Sequence, residues 1–338
     1  MAVAGAGATF SVRLVALAFS PAEGNQQGPS DGGFNACDMR QDEAMSEDDD
    51  ARFQQAGYAM RRLVSQCTAH VRTAGAKLPE RMTKAPPATD YATDYAAALS
   101  GTHDIAYGHR LKQVESSCNA LLSHLEGLRG LVHLETLHTL PAITIARSIA
   151  ELSASSCWLL RSGLSADERA ARAYAALFRS FDSNRASFDD SSRQFRSRLI
   201  AQLEESHVRV TMALDKKNRP TDEVAQVFVG RSHAKTRFNY SQRITEEIPS
   251  MGTLYSGLSG VAHGEHLHVS TSWATPDTYV RLIGIVAYRS IEAWSRSLHA
   301  WVGVTAAPFL NPNDVEDLIQ SIPADLIAEF DAEAASAP

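Results

Sequence analysis

Apolar residues recur at intervals of three and four in one stretch of this chain after another, a pattern that predicts helices. The clearest run is Leu111, Val114, Cys118, Leu121, Leu125, Leu128 and Val132, which alternates steps of three and four and so marks a packing seam. Pro141 lies beyond it and suits the first turn of a following helix that reaches Gly163 with Ile145, Ile149, Leu152 and Leu160 inward. Upstream, Phe53, Ala56, Met60, Leu63, Cys67 and Val71 predict a helix from residue 51 to about 75. Ser165 and Glu168 form a capping box that opens a helix with Ala173, Leu177 and Phe181 inward. Phe195, Leu199, Leu203 and Val210 carry the helical period on to residue 210, before a turn over 216–221. Further helices are expected from about 241, over 250–262, over 276–302 and over 313–322. One stretch, 224–229, has strand-like composition, and it could equally begin a short helix.

The expected class is therefore all-α, a multi-helix bundle of antiparallel long helices with a disordered N-terminal arm. Composition divides it into four parts. Residues 1–50 are rich in Gly, Ala, Ser, Asp and Glu and form the acidic arm, too poor in apolar surface to offset ordering. Residues 51–103 hold an N-terminal helix and a linker marked by Pro79, Pro86 and Pro87, with room for one short helix. The linker repeats Ala-Thr-Asp-Tyr at 88–91 and 92–95, read as a local echo and not a structural repeat. The bundle proper spans 104–310, and 311–338 adds a short helix and an acidic tail.

Charge sharpens this division. The net charge is −7, with −7 in residues 1–50 and −7 in 311–338, which leaves +7 on the body between them. A basic body suits phosphate or nucleic acid, with the acidic ends competing for the same surface, docking a partner protein, or simply aiding solubility. The cysteines Cys37, Cys67, Cys118 and Cys157 have no paired spacing and fit a reducing, cytoplasmic compartment. The apolar stretch at 14–19 follows Arg13 without a basic region before it, so no export signal is expected, and no run reaches the roughly 18–20 residues of a membrane span.

Three groupings carry candidate chemistry. In the glycine-rich segment 251–264, Leu254, Leu258 and Val261 share one helical face, Gly257, Gly260 and Gly264 a second, and Tyr255, Ser259 and His263 a third. That third face suits ligand binding or acid-base work through His263, or else a satisfied hydrogen-bond network between helices. On the helix after Pro141, Arg147, Glu151, Trp158 and Arg161 line up opposite the core face. Arg147 and Glu151 are four apart and can pair. If the glycine-rich helix covers this stripe, an Arg, a Glu, a Tyr and a His converge as a catalytic or binding group. Metal ligation is the third possibility: Glu-x-x-His occurs at Glu135 and His138, Glu204 and His207, and Glu265 and His268, where chance predicts fewer than about one. Two such motifs in a bundle suit a di-iron site, with Glu204 and His207 the pair placed mid-helix, while His263, His266 and His268 suit a local zinc site. No cofactor is named by any motif.

The stretch Ala-Arg-Ser-x-x-Glu at 146–151 followed by Trp158-Leu159-Leu160, with Tyr-Ser-x-Leu-Ser-Gly-Val-Ala-His-Gly at 255–264, resembles all-helical bacterial proteins distantly similar to HEPN-type domains, over about 110–302. The resemblance implies a helical bundle that forms a homodimer, binds RNA or a nucleotide, and serves regulation, stress response or phage defence. The family's nuclease motif, Arg-x4–6-His, does not occur, since Tyr255 or Ser256 stands where its arginine would be, and His263 is the residue carried across. A di-iron or other metal-binding bundle and a non-catalytic interaction scaffold are the alternative readings.

Overall fold

The computed structural model describes residues 47–101, 103–132, 139–184, 189–262 and 276–305, which belong to one unit, Met45–Pro338. The helices are α1 (Glu47–Thr83), α2 (Asp90–Leu99), α3 (Asp104–Val132), α4 (Thr139–Leu160), α5 (Ala166–Asn184), α6 (Asp190–Glu205), α7 (Tyr240–Glu247), α8 (Gly252–Ala262) and α9 (Pro276–Trp301). Between α6 and α7 lie β1 (Val208–Leu214), β2 (Pro220–Val229) and β3 (Ser232–Lys235). The helical bundle expected from the apolar spacing is the architecture found. Among the described residues no helix is long and apolar enough to cross a membrane.

Four long helices close on one another: α9 packs against α1 and α4, and α3 packs against the same two. The α3 seam is buried as its spacing requires at Val114, Cys118, Leu121, Leu125, Leu128 and Val132, but Leu111 is only half-buried and Arg110 takes its place inside. Helix α1 runs past the expected end near Gly75, through Pro79, to Thr83. Proline removes one backbone donor there, and packing of Leu78 and Met82 on the core holds the helix beyond it. Tertiary contact overrides local propensity. The described cysteines are free and buried, and burial pushes Cys67 and Cys157 up to about 12, so their thiols are packing groups.

A second apolar cluster lies under a small antiparallel sheet of order β1-β2-β3, where Val208, Val224, Val227, Val229 and Ala234 meet Phe178 and Phe181 of α5 and Leu199 and Leu203 of α6. This sheet corrects two expectations. Helix α6 stops at Glu205 and Val210 belongs to β1; and strand structure covers three segments, where only 224–229 looked strand-like. The break is made by His207 in the left-handed region at φ 61, with neither Gly nor Pro to announce it. Gly230, at φ 56, makes the two-residue turn into β3, and a Cβ there would lie 2.5 Å from a carboxylate oxygen of Asp167.

The clusters are joined by a buried charged knot built from the Ala-Thr-Asp-Tyr echo. On α2 the four-residue interval places Asp90 and Asp94 one turn apart on one face, and Tyr91 and Tyr95 on the next, their rings parallel within 3°. Asp94 accepts from Arg169 Nε of α5 at 2.7 Å, from Trp301 Nε1 of α9 at 3.0 Å and from Arg110 of α3. Arg169 also donates to Asp90 at 2.7 Å and to the Leu164 carbonyl. Asp94 is 4% exposed and both arginines 1%, so two cations share one carboxylate almost out of water, with the half-buried Asp90 balancing the second charge from the edge. Helix α9 ends just past this point in a Schellman motif: Gly303, at φ 74, donates to Ala300 O and Val304 to His299 O.

A second polar chain ties α1 to α9. Arg81 can only donate, so His299 Nε2 accepts; His299 Nδ1 then donates to Ser295 Oγ at 3.3 Å, and Ser295 donates to His70 Nε2 at 2.7 Å. Both rings are neutral. Burial, then the neighbouring His299 and Arg81, holds His70 down at about 4, and burial, then Arg110, does the same to His109.

Two predictions follow from these polar groups. Asp94→Ala leaves Arg110 and Arg169 buried without their shared carboxylate and should cost about 3–5 kcal/mol in urea unfolding; a loss under about 1 kcal/mol would contradict the role of the knot. Unfolded imidazoles take up protons below their ordinary value of 6.5 whereas His70 and His109 do so only near 4. Unfolding therefore binds protons in that window, stability should fall as pH drops from 6.5 to 4, and the urea midpoint of a His70→Asn, His109→Asn variant should fall less steeply.

Candidate functional site

Helix α8 packs along α4, with Leu254 and Leu258 buried. The contact brings three of the singled-out residues together. Tyr255 OH donates to Glu151 Oε1 at 2.6 Å, and Arg147 Nε donates to the same oxygen at 2.8 Å and lies 3.2 Å from the phenol oxygen. Burial, then the bond to Glu151, pushes Tyr255 up to about 12, so the phenol stays protonated at neutral pH and serves as a donor. Ser259 lies half-buried on the same helix. His263, His266 and His268 fall outside the described residues, as do Glu135, His138 and Glu265.

The metal expectation needs correcting where the structure describes it. Glu204 and His207 are exposed, and His207 stands beyond the end of α6 with its backbone reversed, so the pair is not placed mid-helix. Among the described residues no group of three His, Cys, Asp or Glu is placed to hold a metal ion.

A different site lies where α4, α5, β3 and α7 meet. The segment from β3 to α7 carries Phe238, and Asn239 then caps α7 by accepting from Ser241 N at 2.8 Å. Together these fix Arg243 one turn into α7. Its guanidinium carbon sits 3.0 Å from the centre of the Phe238 ring and 4.0 Å from that of Trp158. Arg172 lies 5.2 Å from Trp158 and donates to its carbonyl at 2.7 Å, and Arg179 covers Phe238 at 3.8 Å. The result is a cleft of about 790 Å³ with an aromatic wall of Trp158 and Phe238 and a rim of Arg172, Lys235, Arg237 and Arg243.

The cations here exceed their partners. Arg172 pairs with Glu168 at 3.1 Å, Arg237 with Glu223, and Arg161 with the buried Glu247. Among the described residues neither Lys235 nor Arg243 forms an ion pair, and Glu246 is the carboxylate on the lining. Arg243 is 6% exposed, and burial, then repulsion from Arg179, brings it down to about 9. Glu247 acts against that shift, but its carboxylate is bonded to Arg161, so an anion in the cleft would add counter-charge that the protein supplies only in part.

Of this cleft, the sequence pointed to Trp158 through its stripe on α4, whose neighbour Arg161 pairs with Glu247. It missed Arg243, Phe238 and Arg179, whose signal was the alternation of basic and aromatic residues in Arg237-Phe238-Asn239-Tyr240 followed by Arg243. No family model, curated protein or solved structure matches the chain.

Removing the phenol by Tyr255→Phe deletes one donor from the α4–α8 contact and should cost about 1 kcal/mol in chemical unfolding, the ordinary net worth of such a bond. A loss of about 3 kcal/mol or more would mean that the phenol supports more than this pair.

Proposed function

We propose that the protein binds a ligand that combines phosphate with a flat base, a nucleotide or a nucleotide unit of RNA, in the cleft between α4, α5, β3 and α7. The observation that carries this reading is the guanidinium of Arg243, held against Trp158 and Phe238 without a carboxylate partner among the described residues. A cation fixed on aromatic rings offers charge to a phosphate, and the rings beside it offer a face to a base. The volume suits a ligand of nucleotide size, since small-molecule clefts run to about 300–1,000 Å³. The role we propose is that of a binding or regulatory protein, since the lining groups supply charge and stacking.

Isothermal titration of the wild type with uridine monophosphate and with ribose 5-phosphate tests this. The nucleotide should bind about tenfold more tightly, stacking on an aromatic face being worth about 1–3 kcal/mol per base. Lys235→Ala, an exposed change, should weaken both. Arg243→Gln, which removes the buried cation and keeps a polar side chain, should weaken both as well. Equal affinity for the two ligands, or indifference to Lys235→Ala and Arg243→Gln together, would sink the reading.

A further inference from the structure

The outer face of the sheet continues the cleft. Strand β3 is an edge strand, and its residues His233 and Lys235 line the cleft from one side. Alternation along the strands sends Val208, Val210, Val227, Val229 and Ala234 toward α5, and so turns the residues between them to the opposite face. Register then aligns two rows across the sheet: Arg209 opposite Phe228 opposite His233, and Thr211 opposite Gln226 opposite Lys235.

The first row is a continuous set of flat groups. The Arg209 guanidinium lies over the Phe228 ring at 4.6 Å, and the Phe228 and His233 rings stack with centres 5.6 Å apart and planes within 27°. Arg209 and His233 are exposed, and Phe228 between them is half-buried, with Arg209 over one side and His233 stacked on the other, so the faces left open in the row are the outer ones of Arg209 and His233. Neither row contains a carboxylate, and neither Arg209 nor Lys235 forms an ion pair among the described residues. Aromatic rings and unpaired cations on a sheet face, with strands about 4.8 Å apart, are what successive bases and phosphates of a single strand require.

We infer that this face is a second base-stacking subsite, in which bases stack on the outer faces of His233 and Arg209 while Phe228 between them holds both in place, so that the ligand is a single strand of nucleic acid running from the cleft past Lys235 and His233 to Arg209. The inference rests on the cleft reading above. It adds that the ligand is longer than one nucleotide, and that Phe228 is a positioning residue whose hold on Arg209 and His233 matters to the strand and not to the monophosphate.

Fluorescence anisotropy with a labelled octauridylate, beside calorimetry with uridine monophosphate, tests it on the full chain. The wild type should bind the octamer at least tenfold more tightly than the monophosphate. Phe228→Ala should weaken octamer binding about tenfold and leave the monophosphate unchanged, and Phe228→Trp, which keeps an aromatic face, should restore the octamer. Octamer binding that ignores Phe228→Ala overturns the inference, as does a Phe228→Trp protein as weak as the alanine variant. Polyphosphate or polyglutamate that competes as well as an unlabelled octamer also overturns it, by marking a plain polyanion surface. Failure of the cleft reading is seen separately, as absence of monophosphate binding to the wild type.

Discussion

Asp94 is approached by Arg110 from α3, Arg169 from α5 and Trp301 from α9, and the placing of those helices depends on their all reaching one carboxylate. A charge so deeply buried is costly unless it is paired and hydrogen-bonded, so the helices that bring partners to it are not free to slide or turn. The knot also decides what lies beyond it. Arg169 stands near the start of α5, and α5 carries Phe178 and Phe181 under the sheet, so fixing its first turn sets where the second apolar cluster forms.

That second cluster is the reason the cleft exists. A bundle of α1, α3, α4 and α9 alone would leave the polar face of α4, with Trp158 and Arg161, open to water. The sheet and α7 pack across from it, and the gap between them is lined from α4, α5, β3 and α7 together. Rigid elements bear most of the lining, and the short segment carrying Phe238 is anchored by the cap that Asn239 gives to α7. Function of the kind proposed needs such anchoring, since arginines on a mobile loop would spend binding energy on ordering themselves.

Much of the bundle was legible because burial of one helical stripe leaves a period that sequence records directly, as in α3 from Val114 to Val132. The contact of Arg147, Glu151 and Tyr255 was legible for the same reason: helical phase alone put them on facing stripes. What was hidden depended on single residues or on partners distant in sequence. His207 ends α6 by adopting a backbone conformation that its side chain does not advertise, and the apolar residues beyond it fit either period. The aspartates of the Ala-Thr-Asp-Tyr echo looked like linker residues because their arginines lie 16 and 75 positions away from Asp94. The cleft was least legible, since Trp158, Arg172 and Arg243 come from three helices.

The two arginine settings explain why one is read as framework and the other as a site. Arg169 gives its hydrogen bonds to two aspartates and two backbone carbonyls, and its charge is cancelled within the protein. Nothing remains for a ligand to satisfy. Arg243 is nearly as deeply covered, but what covers it is aromatic: rings that accept its positive face weakly and cancel none of its charge. Folding that buries a cation on these terms accepts an electrostatic cost that a carboxylate at the same place would have removed. Selection for stability alone would favour the carboxylate. The proposed role draws on that imbalance: an anion in the cleft would add charge that Glu247, already bonded to Arg161, gives Arg243 only in part.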